Sequence, residues 1–113
     1  MRLHRPAALV LAGALFVATP APAGAHSDGG EAPPTAENFA RLRECESGSD
    51  YTADLGNGYY GAYQFSLSTW QSLGYRGYPQ ENPPDVQDEA AWRLQDAEGW
   101  DPWPYCADRL GLR

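Results

Sequence analysis

The chain has 113 residues, 42% of them hydrophobic and 20% charged, and a net charge of −7 set by 15 acidic residues against 8 arginines and no lysine. That balance repels a phosphate backbone and argues against nucleic acid as a partner, whereas a largely neutral polymer such as a glycan is compatible with it. The length allows one small domain and no more.

The chain opens with the basic MRLHR, continues through the unbroken apolar AALVLAGALFVA, and reaches the small-residue segment TPAPAGA. This order predicts a secretory signal peptide over residues 1–25, cleaved after Ala25. The apolar run is about a dozen residues where a spanning helix needs roughly twenty, so no stable membrane insertion is expected after cleavage. Export would remove Arg2 and Arg5 and make the remaining chain two units more negative. Residues 26–34, HSDGGEAPP, are polar, rich in Gly and Pro and without periodicity, and read as a flexible leader. The domain is expected over 35–113.

Thr35 is a candidate cap for a first helix with Glu37 in its first turn and Phe39 and Leu42 on its apolar stripe; Gly48 ends it. Glu46 follows Leu42 by four residues, beside that stripe and near the carbonyl end of the helix. Desolvation and the partial negative charge of the helix terminus both disfavour its ionised form. The competing reading is a solvated glutamate at a frayed helix end. The segment DYTADLGNGYYGAYQF follows, where Gly56-Asn57-Gly58 marks a turn and the flanking tyrosines suggest a short hairpin that must lean on helices. Ser66 or Ser68 can cap a second helix carrying Leu67, Trp70 and Leu73, stopped at Gly74. After the proline-rich loop YRGYPQENPPD, Asp85 is expected to cap a third helix, with Asp88 three residues on in a capping-box-like pattern. Val86, Ala90, Leu94 and Ala97 form its stripe, and Gly99 ends it. Trp100, Trp103 and Tyr105 then surround two prolines before Cys106 and a short terminal turn. The fold class is α+β, mainly helical, with a short hairpin.

The candidate chemistry centres on Glu46 and the aromatic and amide set Tyr59, Tyr60, Tyr63, Gln64 and Trp70. Tyrosine and tryptophan can stack on the apolar faces of sugar rings and hydrogen-bond from their polar tips, and an amide both donates and accepts. Phe65 reads as core, and Trp70 reads equally as core or as part of the groove. Three tyrosines within five positions of a hairpin cannot all point inward, so some are expected to line a groove. Cys45 and Cys106 are the only cysteines. They allow one intramolecular bridge, two free thiols or an intermolecular bridge. They make no convincing zinc site with His26, which lies in the leader. No metal or organic cofactor is expected.

The string CESGSDYTADLGNGYYGAYQFSLSTW, closed by WDPWPYC and RLGL, resembles the transglycosylase-like domain of the actinobacterial resuscitation-promoting factors over about Asn38 to Leu112. The resemblance implies a small fold related to lysozyme and the lytic transglycosylases, stapled by a Cys45–Cys106 disulfide. It implies a monomeric, secreted or wall-associated peptidoglycan glycosidase cutting between N-acetylmuramic acid and N-acetylglucosamine, with another cell-wall hydrolase as a candidate partner. Matched residue by residue, Glu46 takes the role of the catalytic glutamate, and Tyr59, Tyr60, Gln64, Thr69 and Trp70 fall in or beside the glycan groove. Ser49, Tyr51 and Ala62-Tyr63 depart from the family pattern, which usually has Gly, Trp and Gly-Leu there.

The implied reaction is protonation of the glycosidic oxygen by neutral Glu46, then attack of the muramic C6 hydroxyl to leave a 1,6-anhydro end. A lysozyme-type hydrolysis needs a second carboxylate, for which Asp54, then Asp50, is the candidate; its alternative role is turn capping. A noncatalytic glycan-binding or signalling module would present the same aromatic groove.

Overall fold

The computed structural model describes residues 30–113. The signal peptide expected over 1–25, and the start of the leader, lie outside the described residues. Helix α1, Ala36–Ser47, begins where the Thr35 side chain accepts a hydrogen bond from the Asn38 amide at 3.1 Å. It ends where left-handed Gly48 returns its amide to Glu44 O at 2.9 Å and Ser49 returns its own to Arg43 O at 3.1 Å, satisfying the last carbonyls. Its buried residues are Phe39 and Leu42.

Strands β1, Tyr59–Tyr60, and β2, Phe65–Ser66, pair antiparallel with Tyr59 opposite Ser66 and Tyr60 opposite Phe65. Helix α2, Leu67–Ser72, is capped by Ser66, whose hydroxyl accepts from the Thr69 amide at 3.2 Å. A 3-10 turn, Pro79–Glu81, breaks the proline-rich loop. Helix α3 spans Pro84–Glu98 and α4 spans Pro104–Arg109. The expected terminal turn is thus a fourth helix, started by a proline that lacks an amide hydrogen at a position where none is needed.

Three expectations for α3 are corrected. Pro83 stands at the N-cap without a side-chain cap, and Asp85 sits inside the first turn. Asp88 makes no capping box: its carboxylate accepts from the Tyr51 hydroxyl at 2.8 Å and the Tyr63 hydroxyl at 2.6 Å. The inward face holds Gln87, Ala90, Ala91, Leu94 and Gln95, while Ala97 is exposed.

The core is built around rings: Phe39, Tyr63, Phe65, Trp70, Trp100 and Trp103 are all buried and pack mostly edge-on or tilted. Each buried tryptophan also satisfies its indole N–H on a distant carbonyl. Trp70 donates to Arg76 O at 3.2 Å, Trp100 to Ala32 O at 2.8 Å and Trp103 to Tyr63 O at 3.0 Å. Ala32 is buried, and its amide donates to Leu112 O at 2.7 Å. From Ala32 onward, therefore, the stretch read as flexible leader is fastened to the domain.

Gln87 fastens the hairpin. Fully buried on α3, it accepts from the Ala62 amide at 3.0 Å and donates to Tyr51 O at 2.9 Å and Asn82 O at 2.8 Å. Gly61, at φ +74°, lies so close that a side chain there would collide with Gln87 Oε1. The Cys45–Cys106 disulfide joins the end of α1 to α4, with Cα atoms 5.9 Å apart. The architecture is the expected small α+β, mainly helical domain with one hairpin and one disulfide. No helix among the described residues is long and apolar enough to cross a membrane.

Candidate active site

Glu46 stands one turn past Leu42, in the last turn of α1 and beside the disulfide. Its side chain opens into a cavity of about 390 Å³ shared with Asn57, Tyr59, Gln64 and the Pro102–Tyr105 segment. A neighbouring cavity of about 270 Å³, which Ser66, Thr69 and Glu98 help to line, shares Tyr59, Gln64, Pro102 and Trp103 with the first. Sharing four residues makes the two cavities one groove, long enough to continue past Glu46 on the hairpin side. Trp103, buried to 3% exposure with its indole tied to the Tyr63 carbonyl, forms a rigid floor. Tyr59, 51% exposed, and Tyr105, 70% exposed, are the open rings that border it.

Burial raises the Glu46 carboxyl from 4.5 to about 7, and no hydrogen bond or neighbouring charge offsets that desolvation. A carboxyl in this condition is half protonated near neutral pH, which is the state a general acid requires.

Gln64 is held in the groove by a backbone conformation that non-glycine residues rarely adopt, φ +54°, with its side-chain amide donating to Gly61 O at 3.0 Å. Tyr59 receives its orientation from the turn before it, where Asn57 Oδ1 accepts the Tyr59 amide at 3.1 Å. Thr69 lines the second half of the groove and accepts from the Ser66 hydroxyl at 2.9 Å.

The fold therefore gathers Glu46, Tyr59, Gln64 and Thr69 around one groove and separates the other candidates from it. Tyr63 and Trp70 have no exposed surface and cannot touch a ligand in the groove. Tyr63 is committed to Asp88 and to Arg43, whose guanidinium donates to its hydroxyl at 3.2 Å. Trp70 stacks on Tyr75 with ring centres 4.6 Å apart. Tyr60 is half-buried and meets Tyr78 edge-on at 5.2 Å rather than lining the cavity beside Glu46. Asp54 takes the alternative role considered for it: its carboxylate accepts from the Gly56 amide at 3.2 Å, and it lines neither half of the groove. Asp50 likewise caps its own turn through the Thr52 amide and hydroxyl at 2.9 and 2.8 Å.

Sequence reasoning passed over Asn57, Pro102, Tyr105 and Glu98. The WDPWPY run carried a signal in its density of rings and prolines, but it is brought across to Glu46 by distant contacts, the disulfide and the Trp103 indole bond to the Tyr63 carbonyl among them. Glu98 gave none, being an exposed acid at the end of a helix.

A transglycosylase-like domain family matches residues 33–106. A resuscitation-promoting factor of Micrococcus luteus is 42% identical over 106 residues, covering 94% of this chain and 44% of that protein. One from Corynebacterium glutamicum is 38% identical over 78 residues, 66% of this chain and 40% of the relative. One from Mycobacterium tuberculosis is 37% identical over 75 residues, 66% of this chain and 54% of the relative. The chain thus spans roughly half, or less, of the length of each of these relatives.

Proposed function

Because the chain belongs to the transglycosylase-like family that includes the resuscitation-promoting factors, we propose that it cleaves the glycan strands of peptidoglycan, with Glu46 as the single proton-transferring group and a 1,6-anhydro end as product. The observation that carries this reading is the carboxyl of Glu46, unpaired and raised to about 7, at the wall of a groove edged by Tyr59 and Tyr105. In the first step neutral Glu46 gives its proton to the glycosidic oxygen, sparing the leaving group from departing as an alkoxide. The sugar ring gains oxocarbenium character, and the acetamido group on that ring is suitably placed by its own chemistry to assist. Glutamate, now ionised, takes the proton of the muramic C6 hydroxyl as that oxygen closes on C1. The proton ledger balances with one carboxyl.

Tyr59 and Tyr105 are assigned to stacking on sugar faces, Trp103 to the floor beneath them, and Gln64 and Thr69 to hydrogen bonding with ring substituents. The working compartment is the cell wall or the medium, which the disulfide supports, since such bridges persist in oxidising surroundings. Domain 35–113 is assigned as the catalytic unit after removal of the signal peptide.

A hydrolytic reaction through a second carboxylate has one observation in its favour: Glu98 lines the far half of the groove. Digesting purified peptidoglycan and analysing the released fragments separates the readings. The single-acid reading predicts anhydro-muramic ends from the native chain and none from E46Q, with E98Q and D54N retaining most turnover. Reducing ends, lost equally in E46Q and E98Q, would replace it by hydrolysis, and retention on the polymer without products would replace it by a binding module.

A further inference from the structure

A separate cavity of about 450 Å³, larger than either half of the groove, lies between α1 and the last turn of α4. Arg41, Glu44, Cys45, Arg109 and Leu110 line it. Two of the eight arginines of an acidic chain meet here, and neither is ion-paired among the described residues, where the salt bridges belong to Arg113. Arg41 reaches only neutral acceptors, Asn38 Oδ1 at 3.1 Å and Leu110 O at 3.1 Å. Arg109 donates to the Tyr105 hydroxyl at 3.2 Å. Glu44, the one acid on the wall, already accepts from the Ser49 hydroxyl at 2.9 Å. Two guanidinium groups against one engaged carboxylate leave the cavity locally positive.

Its location relative to the groove gives that charge a meaning. Cys45 on its wall precedes Glu46, and Tyr105, to which Arg109 donates, borders the groove on the other side of the disulfide. A substituent that leaves a sugar in the groove and passes over Tyr105 would meet Arg109 and then Arg41. Arginine forks bind carboxylates through paired charge-assisted hydrogen bonds. Taking the glycan-cleaving reading as its basis, we infer that the Arg41–Arg109 cavity is a subsite for a free carboxylate on the peptide stem carried by the bound glycan. The chain would then distinguish peptide-bearing strands from stripped ones at a site apart from the reacting bond.

The test compares kcat/KM on three glycan strands: stems intact, stems with their carboxyls converted to amides, and strands stripped of stems by an amidase. Intact strands should be preferred roughly tenfold, the size expected for a charge-assisted contact at a solvent-accessible site. R41A/R109A should bring that ratio to about one, R41K/R109K should keep part of it, and R93A, on the exposed face of α3, should leave it unchanged. Because the ratio is taken on one preparation, any loss of folded protein cancels. An equal rate on all strands, or a preference that survives R41A/R109A, overturns the inference. So does a stripped strand that matches the intact one, which would mean that the arginines read the lactyl acid of the sugar. Equilibrium binding of the three strands to E46Q separates this inference from the catalytic one: a stem preference in binding without cleavage by the native chain would sink only the catalytic reading, and no preference in either measurement would sink the subsite.

Discussion

Two half-buried acids, Glu46 on α1 and Asp88 on α3, stand in opposite circumstances. Asp88 is surrounded by donors: the hydroxyls of Tyr51 and Tyr63 reach its carboxylate, and Arg43 holds the Tyr63 hydroxyl from the other side. Glu46, one turn beyond Arg43, has desolvation without compensation and opens into a groove. Burial with partners makes a joint between helices, whereas burial without them leaves a proton that can be given away. The comparison shows why an acid's environment, rather than its depth, assigns its role.

The sharpest way to break the comparison is to neutralise each acid in turn. E46Q should lower glycan cleavage by about 100- to 10,000-fold, the usual worth of a general acid, while the fold stays intact. D88N should leave the cleavage chemistry of correctly folded molecules largely in place; turnover per folded molecule, with unfolding followed by circular dichroism, checks both. Reduction of Cys45–Cys106 comes next in size. Losing the closure of so long a loop should cost about 3–5 kcal/mol in the chain-entropy model, measured by urea unfolding with and without reductant. Within the molecules still folded, hydrogen exchange should rise at the ends of α1 and α4, beside Glu46, before it rises around Asp88.

A smaller effect is expected from removing the joint itself. D88A leaves two tyrosine hydroxyls without their acceptor and should destabilise by about 2 kcal/mol. The least effect is a pH-dependent gain in stability. The folded carboxyl of Glu46 titrates near 7 and its ordinary value is 4.5, so the stability it confers is whole below about 4.5 and is lost as pH rises through about 7. Partial solvent screening reduces that loss to roughly 1–2 kcal/mol. E46Q lacks this titration and should therefore gain on the native chain by that amount between pH 4 and pH 8, a stabilisation paired with loss of activity.

Much of this was legible in the sequence where local signals are strong. Thr35, Gly48 and Ser66 act as caps because their side chains or backbone freedom satisfy helix ends within a few residues. Glu46 could be located from its spacing to Leu42 and Phe39, and the resemblance supplied the disulfide. The hairpin was harder, because ring type does not reveal ring direction. The turn from Gly61 to Gln64, with both ends at positive φ, breaks the alternation that a regular strand would keep. Tyr63 consequently faces Asp88 while Tyr59 faces solvent. The inward-facing Gln87 and the Pro102–Tyr105 wall depend on contacts across 25 residues or more, which leave no periodic trace.

Site-specific carbon-13 labelling of the Glu46 carboxyl, followed by NMR titration of the native chain, addresses the decisive point directly. A midpoint near 7, with the signal absent in E46Q, is the predicted result. A midpoint near 4.5 would mean that the carboxyl is ionised throughout the neutral range and would contradict its role as proton donor.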